Sequence, residues 1–228
     1  MKLVVVTAGL TQPSSTRLLA DRLARAAGER LGGAAETTVV ELRDLAVDIA
    51  NNFVTGFPNA RLRQAIDAVT GADGLIAVTP VFTASYSGLF KSFFDVLDPQ
   101  ALAGKPVLIG ATGGTPRHSL VLEHAMRPLF AYLRAVVTPT AVYAASEDWG
   151  GGDDAFTDGL SDRIARAASE LADLMGRRVP HAAPPVNGNG KRAGGAEAED
   201  VVPFEEYLAS IRPPRPDGQR LALTDTTS

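Results

Sequence analysis

A doubly wound α/β domain, with five parallel strands in the order 2-1-3-4-5, is the architecture expected of this chain. Short β-branched runs recur at Leu3 to Val6, Thr38 to Leu42, Leu75 to Val78, Val107 to Ile109 and Val136 to Val142, with helical patterns between them. Loops rich in Gly, Pro, Ser and Thr follow the first, third and fourth runs. Right-handed crossovers bring those three loops around one crevice at the carboxyl edge of the sheet. With 228 residues and 45% apolar content, the chain can bury one sizeable core, so a single domain with an appendage is expected.

The first helix should start near Ser14 or Ser15, where hydroxyl residues provide a cap. Leu18, Leu19, Ala20, Leu23, Ala26 and Ala27 then share a broad face, and Gly32 with Gly33 ends the helix. Further helices are expected from Asn59 to Val69, Gly88 to Leu97, Leu120 to Arg134 and Phe156 to Met175. The last turns Leu160, Ile164, Leu171 and Leu174 inward. The domain is expected to span residues 1–176. A Pro- and Gly-rich stretch over 177–200 has the composition of a flexible linker. In the tail, 201–228, Phe204, Tyr207, Leu208 and Ile211 have the spacing of a short amphipathic docking helix.

Composition excludes several classes of function. A net charge of -4 gives no attraction for a polyanion, so no nucleic-acid partner is expected. The chain has no cysteine and three histidines, His118, His124 and His181, which removes thiol chemistry and leaves no expected metal site. The apolar run after Lys2 ends before it could span a membrane or be exported, so a cytoplasmic protein without a membrane partner is expected.

Three loops carry the chemistry. Gly9 leads to Pro13, Ser14, Ser15, Thr16 and Arg17, a helix start with hydroxyls, backbone N–H groups and an arginine, the donor set that a phosphate dianion needs. Thr79 opens a longer loop in which Pro80, Val81, Phe82, Thr83, Ala84 and Ser85 place exposed backbone beside an aromatic ring, an apolar wall suited to a flavin. The apolar residues of the helix that follows, Leu89 to Leu97, serve core packing, a subunit interface, or both. Thr112, Gly113 and Gly114 permit close approach after the fourth strand, and Arg117 and His118 follow where a reduced pyridine nucleotide could meet the crevice. No side-chain constellation for acid–base or nucleophilic catalysis accompanies them, so no catalytic residue is assigned. Trp149 reads as a packing anchor after the fifth strand.

Over roughly residues 1 to 175 these motifs resemble the NADPH-dependent FMN reductase family. Thr79, Pro80, Ser85, Gly88, Lys91 and Asp95 match its loop pattern T-P-E-Y-N-G-S-x-P-G-x-L-K-N-x-x-D, while Ser14, Thr16 and Arg17 occupy its phosphate positions. Thr112, Gly113 and Gly114 resemble its third loop, under the ring. The start at Pro13 to Arg17 and the run Glu147 to Gly150 resemble an actinobacterial branch that supplies reduced flavin to luciferase-like monooxygenases. The chain departs from the pattern at Gly9 and Thr11, in place of Ser and Arg, and at Val81, Phe82, Thr83 and Ala84, in place of Glu, Tyr, Asn and Gly.

The resemblance implies a flavodoxin-like fold, noncovalent FMN, and hydride transfer from NAD(P)H. It further implies delivery of electrons to free flavin, a small-molecule acceptor or a flavin-dependent monooxygenase, and a homodimer or homotetramer. A quinone or azo reductase and a noncatalytic electron carrier remain the alternatives on the same scaffold.

Overall fold

The computed structural model describes residues 1–33, 35–149 and 159–177. The chain divides into two units, Met1–Pro180 and His181–Ser228, and every described residue lies in the first. The linker expected beyond Arg177, the tail helix and Phe156 lie outside the described residues.

The described residues form β1 (Lys2–Thr7), α1 (Ser15–Arg30), β2 (Glu36–Glu41), α2 (Ala46–Thr55), α3 (Ala60–Thr70), β3 (Gly74–Phe82), β4 (Ser85–Tyr86), α4 (Gly88–Asp95), β5 (Pro106–Gly113), α5 (Arg127–Tyr132), β6 (Val136–Val137), β7 (Val142–Ala145) and α6 (Leu160–Arg177). The sheet has seven strands. Its path runs β2-β1-β3-β5-β6, with β4 on β3 and β7 on β5. All pairings are parallel except β3 with β4. The α/β expectation and the parallel sheet are thus seen, with more strands than expected.

The strand expected over Val136 to Val142 is two short pieces instead. Val136–Val137 pairs with the start of β5 and Val142–Ala145 with its end. Pro139, lacking an N–H, interrupts the run, and Thr138 Oγ1 donates to Thr140 O at 2.9 Å across the break. The helix expected from Leu120 to Arg134 is broken for a related reason. Leu122–Met126 forms a π-helical turn before α5. Pro128 offers no N–H to continue an i→i−4 ladder, and Arg127 N donates to Leu122 O, one residue wider. Helix α2 was not expected, because Ala46–Thr55 mixes Asn, Val and Thr and leaves Val47 and Val54 exposed.

Strand alternation gives the sheet two different faces. Leu3, Val5, Ile76, Val78 and Leu108 pack under α1 and α6 against Leu19, Leu23, Ala27, Ile164, Ala167 and Leu171. Met175, beside Leu174, takes the buried position on α6, and Leu18 on α1 is exposed. Val4, Val6, Leu75, Ala77, Val107 and Ile109 face the shorter helices and an aromatic cluster. In that cluster Phe94 meets Phe130 edge to face at 5.0 Å and Phe90 at 4.8 Å. Phe90, Phe93 and Phe94 are therefore core residues of this domain. Lys105 is also buried, its ammonium donating to the carbonyls of Thr70 and Ala72 beyond the end of α3.

Candidate functional site

Parallel strands that end together leave their following loops side by side, and β1, β3 and β5 are adjacent. The loops after them enclose a crevice of about 340 Å³, within the range of small-ligand sites. One wall is the start of α1, with Ser14, Ser15 and Thr16. A second is the apolar backbone of Pro80, Val81 and Phe82, and a third is Thr112, Gly113 and Gly114. A larger groove, about 660 Å³, lies between α4 and α5 and takes Ser85, Tyr86 and Lys91 as lining. No residue of β1, β3 or β5 lines it, so the smaller crevice is the candidate functional site.

Local chemistry fixes each wall. Ser14 has extended backbone and its Oγ accepts from Arg17 N at 3.2 Å, which caps α1. No acidic residue stands in the first turn, so the positive end of the helix dipole is uncompensated there. Gly9 is needed for this geometry, since a Cβ would collide with Ser14 Oγ. Thr16 and Thr112 are buried and their hydroxyls meet at 2.7 Å, tying the first loop to the third. A hydroxyl has one proton, so one of the pair donates to the other and the second keeps its own proton to offer elsewhere.

The third loop is shaped from behind. Tyr143 OH donates to Thr115 O at 2.8 Å and occupies the space that a Cβ on Gly113 would need. Burial, and then the nearby Asp148 carboxylate, push the Tyr143 phenol above its ordinary value, so it stays a donor. At Gly114 nothing lies within 4 Å of a built Cβ, which leaves its backbone open to approach.

Of the expected site residues, Ser14, Ser15, Thr16, Pro80, Val81, Phe82, Thr112, Gly113 and Gly114 line the crevice. The others are placed elsewhere. The Arg17 guanidinium pairs with Asp21 at 2.8 Å and with Glu41; the Asp21 hydrogen bond foremost raises its pKa further. Thr83 and Ala84 form the tip of the β3–β4 hairpin, and Ser85 faces the second groove. Arg117 and His118 sit on an exposed 3₁₀ turn, where Arg117 Nε donates to Thr115 Oγ1 at 3.2 Å.

The sequence reading missed Leu10, Thr11, Ser146 and Trp149, which also line the crevice. The strand order held the signal for the last two, because β7 ends beside β5 and its following turn must reach the same edge.

The donors and the apolar wall fit a flavin mononucleotide, with a phosphate at the start of α1 and a planar ring along Pro80 to Phe82. Among the described residues, no carboxylate lines the crevice to oppose the phosphate. Among the described residues no cluster of His, Cys, Asp or Glu could hold a metal ion, and no helix is long and apolar enough to cross a membrane.

A family model described as NADPH-dependent FMN reductase matches residues 1–150. An FMN reductase (NADPH) of Pseudomonas aeruginosa is 38% identical over 180 residues, 78% of this chain and 94% of that protein. An NADH-dependent FMN reductase, SfnF, of Pseudomonas fluorescens is 37% identical over the same shares, 78% and 94%. Among solved structures, an oxidoreductase from Corynebacterium diphtheriae aligns with a TM-score of 0.74 at 46% identity, covering 78% of this chain and 98% of that one.

Proposed function

Because the chain belongs to the NADPH-dependent FMN reductase family, with its flavodoxin-like α/β fold, we propose that the crevice at the ends of β1, β3 and β5 is where it binds FMN. The chain is an NAD(P)H-dependent FMN reductase. The observation that carries the placement is the meeting of the hydroxyl-rich start of α1 with the apolar wall Pro80 to Phe82 in one space that no carboxylate among the described residues lines.

FMN, when bound, supplies the hydride chemistry, accepting from the reduced nicotinamide. The protein's part is binding and orientation. The first free N–H groups of α1 and the hydroxyls of Ser14 and Ser15 hold the phosphate. Thr16 fixes Thr112, which ties the third loop to the start of α1, and Gly114 in that loop would let a ring approach its backbone closely. Pro80 offers no N–H at the ring edge, and Val81 and Phe82 exclude water from one side. Phe82 is 47% exposed, which leaves an apolar surface on which a nicotinamide can stack. This arrangement needs no acid or base, in keeping with the absence of any assigned catalytic residue.

The reading extends in three directions. Residues 1–176 form the flavin-binding domain, followed by a linker over 177–200 and a tail over 201–228. Electrons from the reduced flavin pass to free flavin or a small-molecule acceptor, or the reduced flavin is supplied to a flavin-dependent monooxygenase. The assembly is a homodimer or homotetramer, for which Val47, Val54 and Phe57 on and beside α2 supply exposed apolar surface.

The test is anaerobic. FMN is added to purified protein and the absorbance of oxidised flavin is followed on adding NADH or NADPH. Rapid protein-dependent bleaching supports the reading and gives the nucleotide preference. FMN binding without bleaching would favour an electron carrier, and absence of binding would sink the assignment of the crevice.

A further inference from the structure

We propose that Trp149 closes the phosphate end of the crevice and selects FMN over flavin adenine dinucleotide, with Asp148 and Arg163 as positioning residues that hold it there. The inference rests on the flavin reading above and adds a residue and a specificity to it.

Trp149 lines the crevice together with Ser146, Ser14 and Ser15, and its ring lies against Arg22, about two turns along α1 from Ser15. Its ring is held from two directions. It packs against the aliphatic core under α1 and α6, and the Arg22 guanidinium of α1 lies 5.0 Å from the ring centroid. The 3₁₀ turn Ser146–Trp149 that carries it is pinned as well. Asp148 Oδ2 accepts from Ala145 N at 2.7 Å, and its Oδ1 accepts from Arg163 of α6 at 2.6 Å. Arg163 also donates to Tyr143 O at 2.6 Å. All three are charge-assisted, and the two charged side chains, Asp148 and Arg163, are only 22% and 27% exposed, so they fix the turn firmly. Helix α6 is thereby fastened to the end of β7, which anchors the turn that carries the indole.

The chemical consequence lies in what each flavin carries beyond its ribityl phosphate. FMN ends there. The dinucleotide continues through a second phosphate into an adenosine, which must leave the crevice past its phosphate end. A fixed indole beside Ser14 and Ser15 obstructs that exit and leaves FMN unhindered. A side chain that only packed against the core would treat the two flavins alike.

Dissociation constants for FMN and for the dinucleotide, measured by flavin fluorescence on the full chain, separate these roles. Trp149→Ala is expected to narrow the preference for FMN about tenfold, mainly by tighter binding of the dinucleotide. Trp149→Phe should keep most of the preference. Asp148→Asn keeps the indole but removes the ion pair that holds its turn; the ring is then freer to move, and the preference should narrow partly with a melting temperature close to the parent's. Equal changes for both flavins in Trp149→Ala and an unchanged ratio in Asp148→Asn would overturn the proposal while leaving the flavin site intact. If the unaltered chain bound neither flavin, the assignment of the crevice and this inference would fall together. Trp149 is the only tryptophan, so quenching of its emission by FMN is also expected, and unaltered emission at saturating FMN would count against the proposal.

Discussion

The loops that precede α1 and α4 both lead from a parallel strand into a helix through a serine cap. Ser14 Oγ accepts from Arg17 N at 3.2 Å, and Ser87 Oγ accepts from Phe90 N at 3.1 Å. Between strand and cap they behave differently. The first loop contains no residue of positive φ and is tied by hydrogen bonds, Thr11 Oγ1 to Pro13 O at 3.0 Å and the Thr16–Thr112 hydroxyl pair. The second turns back as the β3–β4 hairpin, with Thr83 at φ 48° and Ala84 at φ 64°. A two-residue hairpin of this kind suits Asn and Gly, and a β-branched threonine is poorly matched to it. The first loop is therefore stable in its own shape. The second is held in place by its surroundings, including Thr79 Oγ1, which accepts from Ser87 N at 3.0 Å. Preorganisation falls at the hydroxyl-rich start of α1, and strain falls at the hairpin tip that follows the apolar wall Pro80 to Phe82.

The contrast breaks most decisively at Ser15. An aspartate there would favour the dipole of α1, so melting temperature should hold or rise, while a carboxylate at the phosphate end should weaken FMN binding about a hundredfold. A titration with FMN beside a thermal melt checks both halves; equal affinity in Ser15→Asp would remove the phosphate role from the first loop.

The third loop is expected to respond next. Gly113→Ala drives a Cβ into Tyr143 OH and should destabilise the fold by about 2 kcal/mol. In a Tyr143→Phe background the same change should cost clearly less, because the colliding oxygen is gone. Chemical denaturation of the four proteins measures the coupling, and strict additivity would contradict the contact.

A smaller loss, about 1 kcal/mol, is expected from Thr16→Val, which leaves the Thr112 hydroxyl buried without its partner. Ala84→Gly should act in the opposite direction and stabilise by about 1 kcal/mol by relieving the left-handed alanine. If Ala84→Gly destabilised the protein, the strain assigned to the second loop would be absent.

The smallest effect is one of pH. The Tyr143 phenol is raised by burial, then by Asp148, so its contribution is fully present below the unfolded value of about 10. That contribution is lost as pH rises through the higher folded value. Between pH 9 and pH 11, unaltered protein should lose more stability than Tyr143→Phe in parallel melts.

Much of this was legible in residue order. The strands, α1 and the three loops declared themselves because β-branched runs, a serine cap and Gly-rich turns are local signals. Trp149 was read only as packing, because its place beside the crevice depends on β7 pairing with β5 and on Arg163 reaching back from α6. Arg17 was expected at the phosphate. Its neighbours in space, Glu41 on β2 and Asp21 one turn along α1, take up its guanidinium instead. The wide turn before α5 traces to Pro128 and the interrupted fifth run to Pro139, each visible in sequence but outweighed there by the surrounding pattern. Helix α2 carried too weak a propensity to be found, and tertiary packing of Ile49 decides it.

A crystal structure of the chain soaked with FMN would test the central claim most directly. The account predicts the phosphate against Ser14, Ser15 and the first N–H groups of α1, with the ring along Pro80 to Phe82 above Gly114. Flavin seated in the groove between α4 and α5, or a phosphate away from α1, would contradict it.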